Sequence, residues 1–474
     1  MDFLNRREEL SRLESISFRP EGGFAVLWGR RRVGKTRLLL EWVRRRSGIY
    51  FVADQSAESL QRRALAETLS VRLPGFNDVV YPNWGSLLAR MATESIRVGW
   101  RGPFVLDEFP YLVQAAPELP SVLQRWLDHD ARRAHLTTAV SGSSQRMMQG
   151  LILDRSAPLF GRAVEAFPLD PLAPGYLLKA FPRLTAPEAV AYHAVWGGIP
   201  RYWELAQGIR ARSLDDVVDA LVLDPRGPLH QEPDRLLQEE SPPAMSLRPL
   251  LEVIGMGANR LMEMGARLGS PLTSLSHPIA RLQEMGLIVK ENPFGESERN
   301  GKRSLYRIAD PFFRMWYRIV GPRRTFLVGA TPDGRKALWR SHRSALEGTA
   351  WEELCRTAAP RMVKAPWSRH GPWRPAARWW RGDGPEWDLV SLSLDGRHLL
   401  LGEVKSRSIG ITDTLFLRRT TEAFLAKGLP PVVERKTVTV HRALFLPHPL
   451  RLAAAKFSGD ISLINAADVF SALK

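Results

Sequence analysis

Short apolar runs alternate with longer amphipathic segments through the first third of the chain. Strands are predicted at residues 24–28, 48–53, 104–107, 136–141 and 164–169. Around and between them, apolar residues recur with helical spacing, as in 4–13, 57–70 and 121–133. Alternation of this kind predicts an α/β domain in which a parallel sheet is covered by helices on both faces.

The pattern changes in the middle of the chain. Residues 224–243 are rich in Pro, Glu and Asp, which suggests a connector with short helices. Helices are then predicted at 247–255, 260–268 and 272–284, followed by strands at 287–290 and 304–308. Three helices with a two-stranded wing are typical of a winged helix-turn-helix.

The first strand leads directly into a glycine-rich loop. Gly29, Gly34, Lys35 and Thr36 fit the pattern G-x-x-x-x-G-K-[ST], with a strand before it and a helix after it. Backbone N–H groups of such a loop point at phosphate oxygens, and the helix N-terminus adds partial positive charge. The lysine reaches the β- and γ-phosphates, and the threonine hydroxyl ligates Mg²⁺. We therefore predict an ATP site formed by Gly29, Arg30, Arg31, Arg32, Val33, Gly34, Lys35, Thr36 and Arg37.

The third strand of this domain ends in two acids. Asp107 is expected to hold Mg²⁺ through its water shell, and Glu108 to polarise the attacking water. The alternative is an ordinary strand that ends in solvated acids. The next strand runs into Ser141 and Ser143, either of which orients the water at the γ-phosphate, unless this segment is only a turn.

A second set of chemical groups lies near the end of the chain. Apolar strands at 387–390 and 399–405 flank a turn signal at 395–396, which predicts a β-hairpin. Residues two apart on a strand share a face, so Glu403 and Lys405 point together. Asp388 on the paired strand joins them. Two carboxylates and a lysine suit metal-assisted phosphodiester cleavage, in which the acids hold Mg²⁺ and Lys405 orients the water.

Composition bounds the class of protein. The 474 residues are too many for one hydrophobic core and suggest about three domains. The formal net charge of +17 favours a nucleic-acid partner, with an anionic membrane surface as the alternative. No apolar run approaches the ~20 residues of a membrane span, no signal peptide is visible, and the single cysteine excludes a disulfide within the chain. We therefore expect a cytoplasmic protein that does not associate with membranes.

Two basic segments are candidates for contact with nucleic acid. Residues 354–382 lack acids and interleave arginines with tryptophans, which suits phosphates and bases, unless the tryptophans belong to the core. The predicted wing is also basic, and it either contacts DNA non-specifically or only closes over the nucleotide. The candidate contact residues are Arg299, Lys302, Arg303, Arg374, Arg378 and Arg381.

With these motifs, nearly the whole chain resembles the archaeal and bacterial ATPases of the STAND group, within the AAA+-related P-loop NTPases. The matching segments are Asn5-Arg6 with Glu9-Leu10, the P-loop, LDEFPYL at 106–112, SGSSQRMM at 141–148, PLFGR at 158–162, GGIPRY at 197–202 and YRIADPFFRMWYR at 306–318. The resemblance implies that Pro200 approaches the adenine and that Arg162 senses the γ-phosphate. The sequence departs from the family pattern at Arg7, where Glu is usual, and at Ala163, where a second Arg is usual.

The C-terminal part resembles the PD-(D/E)XK nuclease superfamily, in the nuclease-like domain that ends many of these ATPases. In that superfamily an earlier helix contributes a further acid, and Glu352 in the sequence AWEEL has the matching position. The resemblance implies a second Mg²⁺ or Mn²⁺ held by Glu352, Asp388 and Glu403. A Glu-x-Lys pair is also common on solvated strand faces, so a catalytically inactive domain remains an alternative.

We expect four segments: a P-loop ATPase domain (1–206), a helical connector (207–246), a winged helix-turn-helix (247–340) and an α/β restriction-endonuclease-like domain (341–474). The expected function is an ATP-hydrolysing switch coupled to a DNA-binding, Mg²⁺-dependent nuclease. The alternatives are a regulator whose nuclease-like domain only binds, and a replication- or segregation-linked DNA-binding ATPase. DNA or another nucleic acid is the expected partner, and a protein partner or a homo-oligomer is compatible with the sequence.

Overall fold

The computed structural model describes residues 3–211, 213–240, 247–297, 301–382, 384–406, 414–433, 437–449 and 461–474. The chain divides into two compact units. The first unit contains residues 3–171 and 199–201, and the second contains 172–198 and 202–474. The division into four domains remains a prediction.

The first unit is built on five strands, as the alternating pattern predicts. Its strands are β1 (Gly23–Trp28), β2 (Ile49–Val52), β3 (Phe104–Asp107), β4 (Thr137–Gly142) and β5 (Glu165–Pro168). All pairings are parallel, and the strand order is β2-β3-β4-β1-β5. Strand β4 therefore lies between the strand that precedes the glycine-rich loop and the strand that ends in Asp107. Because the strands are parallel, their carboxyl ends meet at one edge of the sheet.

Helices cover this sheet on both faces. They are α1 (Arg7–Ser17), α2 (Lys35–Arg45), α3 (Glu58–Ser70), α4 (Trp84–Val98), α5 (Phe109–Ala115), α6 (Leu119–Trp126) and α7 (Gln145–Met148). Successive strand residues enter different cores: Val26 packs in the core that contains Trp84, and Leu27 in the core that contains Trp42. Burial on both faces explains why the strands are continuous apolar runs rather than alternating ones.

Two helices of the first unit differ from their predicted bounds. The predicted helix at 4–13 begins only at Arg7, because Asn5 and Arg6 have φ values of 59° and 70°. Residues with a left-handed backbone cannot be part of a right-handed helix, so the helix starts after Arg6. The predicted helix at 121–133 is present as α6, after which the chain continues as a π-helical turn over Leu127–Ala131.

The second unit begins with helices and contains the predicted winged segment. Its helices up to that segment are α8 (Leu177–Ala180), α9 (Ala186–Trp196), α10 (Pro200–Gly208, whose first two residues belong to the first unit), α11 (Leu214–Val218) and α12 (Glu232–Glu240). The winged segment itself consists of α13 (Arg248–Gly255), α14 (Leu261–Leu268), α15 (Leu272–Glu284), β6 (Ile288–Glu291) and β7 (Leu305–Ile308). The order and spacing agree with the prediction, and β6 pairs with β7 antiparallel. Pro278 lies inside α15 rather than in its first turn, so the backbone there lacks one helical hydrogen bond.

A long helix connects the helical part of the second unit with its C-terminal sheet. After α16 (Pro311–Ile319) and α17 (Arg324–Gly329), helix α18 (Pro332–Ala358) runs for 27 residues, or about 40 Å. Near its start the Trp339 indole donates to Asp215 Oδ1 at 2.9 Å. Near its end the Trp351 indole donates to the Lys405 carbonyl at 3.2 Å. The helix is therefore anchored at both ends.

Helix α18 is also joined to the two-stranded wing by ion pairs. The Glu353 carboxylate accepts hydrogen bonds from Arg307 of β7 and from Arg314 of α16, the latter at 2.7 Å. Burial alone would raise the pKa of Glu353, but the two arginines outweigh this effect and lower it. Removing one partner of such a group leaves an uncompensated charge, which typically costs about 3–5 kcal/mol of folding free energy.

The C-terminal sheet contains the predicted hairpin. Its elements are β8 (Ala377–Trp379), β9 (Trp387–Leu392), β10 (His398–Val404), α19 (Thr414–Ala426), β11 (Thr439–Phe445), β12 (Ile461–Ile464) and α20 (Ala466–Ala472). The order is β12-β11-β10-β9-β8, with β8, β9 and β10 antiparallel and β10, β11 and β12 parallel. No helix among the described residues of either unit is long and apolar enough to cross a membrane.

Candidate functional site

The glycine-rich loop of the first unit lies between β1 and α2, at the carboxyl edge of the sheet. Gly29 has a φ of 148°, and a methyl group added there would lie 2.7 Å from the Leu169 carbonyl oxygen. Gly34 has a φ of 102°, so both positions require glycine. The Lys35 ammonium is buried inside the loop and donates to the Gly29 carbonyl at 2.7 Å. This places the cation where the loop would surround a phosphate, as the motif predicts.

Arg6 supports this loop from outside the motif. Its guanidinium is 4% exposed and donates to the carbonyls of Val33 at 3.0 Å and Asp170 at 2.6 Å. It also pairs with Glu9 at 2.8 Å. Arg6 thus fixes the loop backbone relative to the segment after β5. The sequence contained the Arg6 and Glu9 pair as a family feature, but did not indicate its contact with the loop.

Asp107 is fixed by four hydrogen bonds at the end of β3. Its Oδ2 accepts from Thr36 at 3.0 Å and from the Tyr50 hydroxyl, and its Oδ1 accepts from Ser141 and from the Glu108 N–H at 2.9 Å. The predicted metal-site residues Thr36 and Asp107 are therefore in direct contact. An oxygen cluster of this composition suits Mg²⁺.

Tyr50 is a member of this cluster that sequence reasoning missed. It lies on β2, the strand that pairs with β3. Burial, and then the nearby Asp107 carboxylate, raise the pKa of Tyr50 well above its usual value. The phenol therefore stays protonated and donates to Asp107. An aromatic residue in a strand is an ordinary core residue by pattern, so no sequence signal distinguished it.

Glu108 is held by Ser143 in a strained backbone conformation. Its φ is 52°, a left-handed value that costs a non-glycine residue about 1 kcal/mol or more. Its Oε2 accepts from the Ser143 N–H at 3.1 Å and from the Ser143 hydroxyl at 2.9 Å. The two predicted serines are thus divided between the two acids, with Ser141 on Asp107 and Ser143 on Glu108.

Pro200 and Arg162 occupy different surroundings. Pro200 belongs to the first unit, and a methyl group added at Gly34 would lie 3.6 Å from its Cγ. It therefore lies beside the glycine-rich loop, and its approach to the adenine stays a prediction. Arg162 forms a bidentate pair with Asp128, with both shortest contacts at 2.9 Å. Its described contacts are with Asp128 and nearby carbonyls, so its sensor role is an untested prediction.

The predicted acidic residues of the second unit come together around β9 and β10. Asp388 Oδ2 accepts from the Val404 N–H at 2.8 Å, which places this carboxylate beside Glu403. Burial, and then the nearby Glu403 carboxylate, raise the pKa of Asp388 to about 6. Glu352 on α18 approaches the same site, since Arg356 contacts both Glu352 Oε2 at 3.4 Å and the Asp388 carbonyl at 3.2 Å. We refer to Glu352, Asp388, Glu403 and Lys405 as the acidic site.

Both carboxylate oxygens of Glu403 are paired with lysines. Lys405 lies 2.7 Å from Oε1, as the strand geometry predicts. Lys427, after helix α19, lies 2.5 Å from Oε2 and also donates to the Glu386 carbonyl at 2.9 Å. Glu403 is 5% exposed, so these cations balance a buried charge. Sequence reasoning missed Lys427, because a single lysine after a helix carries no motif.

The basic candidates are only partly available to a partner. Arg374 and Arg381 are exposed, whereas Arg378 is half-buried and lies 3.8 Å from Glu291 and 3.3 Å from Glu386. Arg303 is paired with Glu296. Arg299 and the side chain of Lys302 lie outside the described residues.

The tryptophans of this segment differ from the predicted stacking surface. Trp367, Trp379 and Trp380 are 1%, 5% and 4% exposed, so their faces are covered by the protein. Trp373 is half-buried. Most of these rings therefore belong to the core of the C-terminal part, which was the alternative interpretation, and only Trp373 presents part of its surface.

Comparison with known proteins agrees with this architecture. Residues 3–202 match the model of a family described as an ATPase domain predominantly from Archaea. An uncharacterized protein of Methanocaldococcus jannaschii is 25% identical over 410 residues, which is 86% of this chain and 88% of the relative. The Walker-type ATPase of Pyrococcus abyssi superimposes with a TM-score of 0.53 at 20% identity, covering 67% of this chain and 97% of that chain. A STAND protein of Pyrococcus horikoshii with a tetratricopeptide repeat sensor has a TM-score of only 0.33 at 16% identity, covering 76% of this chain and 51% of that one.

The family match, the fold shared with the Pyrococcus abyssi protein and the geometry of the loop lead to one conclusion. The glycine-rich loop, the fixed Asp107 and the adjacent Glu108 lie inside the matched region. Residues 3–202 are similar to an ATPase domain found predominantly in Archaea, and they have the fold and the glycine-rich loop of a P-loop ATPase.

Proposed function

We propose that this protein is an ATP-hydrolysing switch that controls a nucleic-acid-binding, Mg²⁺-dependent DNA nuclease. The ATPase part is supported by the family match of residues 3–202 and by the geometry of the glycine-rich loop. The nuclease rests on one observation above all: Asp388 and Glu403, from paired strands, lie beside Lys405 and near Glu352 of α18.

ATP hydrolysis assigns distinct roles to the two acids after β3. Thr36 and Asp107 would hold the Mg²⁺ that accompanies ATP, and their mutual contact at 3.0 Å supports this assignment. Glu108 would accept the proton of the attacking water. The Ser143 hydroxyl, which donates to the Glu108 carboxylate at 2.9 Å, would keep that carboxylate in place.

The acidic site has the chemistry that a divalent cation requires. Asp388 lies beside Glu403, and burial and the neighbouring carboxylate raise its pKa to about 6. Glu352, Asp388 and Glu403 would hold Mg²⁺ or Mn²⁺, which would stabilise negative charge developing on a phosphate. Lys405 would then orient the attacking water.

A cleft next to the acidic site supports the nucleic-acid part of the proposal. It has a volume of about 520 Å³ and lies between β6–β7 and the C-terminal part. Its lining includes Lys290, Arg361 and the half-buried Trp373. A second cleft of about 360 Å³ shares Arg356 with it and includes Glu352. Cations beside an aromatic ring suit a nucleic-acid strand passing near the acids.

In the winged segment, the wing is the part proposed to contact nucleic acid. The helix α15 offers Arg281, which pairs with Glu284 at 3.3 Å. The proposed role of the wing is non-specific DNA contact or closure over the nucleotide. Base-specific readout is assigned neither to the wing nor to α15.

One observation favours a different function. Lys427 and Lys405 pair with the two oxygens of Glu403, so a cation that binds this carboxylate competes with a lysine. The second candidate is accordingly a STAND-type regulatory ATPase whose nuclease-like domain binds DNA without cleaving it.

Metal-dependent unfolding, paired with nicking of a supercoiled plasmid, separates the two candidates. The nuclease proposal predicts that Mn²⁺ raises the melting temperature of the full-length protein and supports nicking, because a ligand of the native state shifts unfolding by mass action. Asp388→Asn and Glu403→Gln should lose both effects. Glu422→Gln, which changes an exposed acid on α19, is the matched control. If the wild-type protein shows neither a metal-dependent rise in melting temperature nor nicking, the regulator is the function that remains.

A further inference from the structure

Three histidines meet on the C-terminal sheet, away from the acidic residues considered above. His370 ends a short helical turn, His398 begins β10, and His441 lies on β11. One ring nitrogen of each histidine lies within 4.8 Å of a ring nitrogen of each of the other two. His398 Nδ1 and His441 Nε2 are 3.2 Å apart. The His370 and His398 rings stack with their centroids 4.0 Å apart.

We propose that His370, His398 and His441 bind a divalent transition metal ion of the zinc class. The proposal is independent of the nuclease and of ATP hydrolysis. Imidazole nitrogens suit Zn²⁺, Cu²⁺ and Ni²⁺, whereas Mg²⁺ prefers oxygen. The triple-histidine site would therefore select a different ion from the acidic site.

The distances fit tetrahedral coordination. With metal–nitrogen bonds of about 2.0–2.1 Å, two tetrahedral ligands lie about 3.3 Å apart. His398 and His441 already have this separation, at 3.2 Å. The third ligand atom is within 4.8 Å of both, so it reaches the same geometry by a movement of about 1.5 Å or less.

The ring of His370 is already an acceptor in the structure. The exposed Arg369 donates its Nε–H to His370 Nε2 at 3.1 Å. Arginine has only donors, so this nitrogen carries a lone pair. A metal ion that binds Nε2 would take the place of the Arg369 donor, whose side chain is exposed. Three protein nitrogens would leave a fourth position for water.

The position of the cluster indicates what the metal would do. His370 belongs to the segment between α18 and β8, while His398 and His441 belong to neighbouring parallel strands. Trp373 of the same segment contacts the His441 ring edge-on, with centroids 5.9 Å apart. The ion would fix this segment, which carries Arg374, against strands β10 and β11. Metal binding is then a folding constraint as well as a binding event.

Cobalt spectroscopy of the full-length protein tests the site. The protein is stripped with a chelator and titrated with Co²⁺, which gives intense visible absorption when it is four-coordinate. We expect one equivalent of Co²⁺ to develop this absorption and one equivalent of Zn²⁺ to abolish it. His398→Gln and His441→Gln should each lose the absorption. His277→Gln, which changes an exposed histidine on α15, should retain it.

The test of the triple-histidine site remains decisive even if a strand variant fails to fold. His370→Gln lies outside the strands and tests the same ligand set in an intact sheet. Melting temperatures in the absence of metal show whether each variant is folded. A wild-type protein without the cobalt absorption, or an absorption that survives in folded His370→Gln and His441→Gln, would overturn the proposal.

Discussion

Lys427 Nζ lies 2.5 Å from the Oε2 atom of Glu403, on the side of the carboxylate that Lys405 does not reach. The buried acid at the centre of the acidic site is thus neutralised from both sides by the protein itself. An incoming metal ion competes with one of these lysines. Under the proposed nuclease function, the contact between Lys427 and Glu403 is the one that a metal ion at Oε2 has to overcome.

Removing Lys427 should increase metal affinity. Lys427→Met keeps the apolar stem and deletes the charge, so Oε2 of Glu403 becomes available. A unit charge within about 4 Å at a partly exposed site changes binding by a few kcal/mol, so we expect the Mn²⁺ concentration for half-maximal thermal stabilisation to fall about tenfold or more. Lys405→Met should keep the metal effect and lose nicking. An unchanged Mn²⁺ midpoint in Lys427→Met would contradict the competition between lysine and metal.

Metal binding should depend on pH through Asp388. Its pKa of about 6 lies above the unfolded value of about 3.9, so its contribution to stability is complete below pH 3.9 and is lost as the pH rises to about 6. Above pH 6 the carboxylate is charged and ready for a cation. We expect apparent Mn²⁺ affinity to rise with pH up to about 6 and then to level. Calorimetric titrations at several pH values measure this, and an Mn²⁺ affinity that is the same below and above pH 6 would contradict the role of Asp388.

The ATPase site allows binding and hydrolysis to be separated. Lys35→Ala removes the cation inside the loop, so ATP binding measured by fluorescence titration should be lost. Glu108→Gln keeps Thr36 and Asp107, so binding should persist while phosphate release falls by about 10²–10⁴-fold. Glu67→Gln, on the exposed side of α3, is the control. Equal turnover in Glu108→Gln and wild type would disprove the role of Glu108.

The exposed arginines should contribute unequally to DNA binding. Replacing Arg374 and Arg381 with Gln should weaken binding to DNA of any sequence and reduce the salt dependence by about one for each lost phosphate contact. Arg378→Gln should have a smaller effect, because Arg378 already has Glu291 and Glu386 as partners. Fluorescence anisotropy over a series of salt concentrations reports the slope. If the double variant keeps the wild-type slope, these arginines do not contact DNA.

The sequence predicted local features well. The strand that precedes the glycine-rich loop, the acids at the end of β3 and the hairpin that carries Asp388 and Glu403 all lie where the patterns placed them. In each case the signal is contained in a few consecutive residues, because strand burial and turn chemistry act locally.

Features that depend on tertiary packing could not be predicted in this way. Lys427, Tyr50 and the three histidines reach their sites from separate elements, and none has a distinctive neighbour in sequence. The interleaved tryptophans resembled a stacking surface, yet three of them are covered. Whether a ring faces bases or the core depends on how the segment folds back on the sheet, which the spacing of Arg and Trp does not determine.

The most direct test of the central proposal is plasmid nicking with and without ATP in the presence of Mn²⁺. The account predicts that wild-type protein nicks the plasmid, that ATP changes the rate, and that Lys35→Ala nicks at one rate whether or not ATP is present. Glu403→Gln should be inactive in both conditions while its melting curve without metal shows that the variant is folded. Wild-type nicking that is unaffected by ATP, or that persists in Glu403→Gln, would contradict an ATP-controlled nuclease at this site.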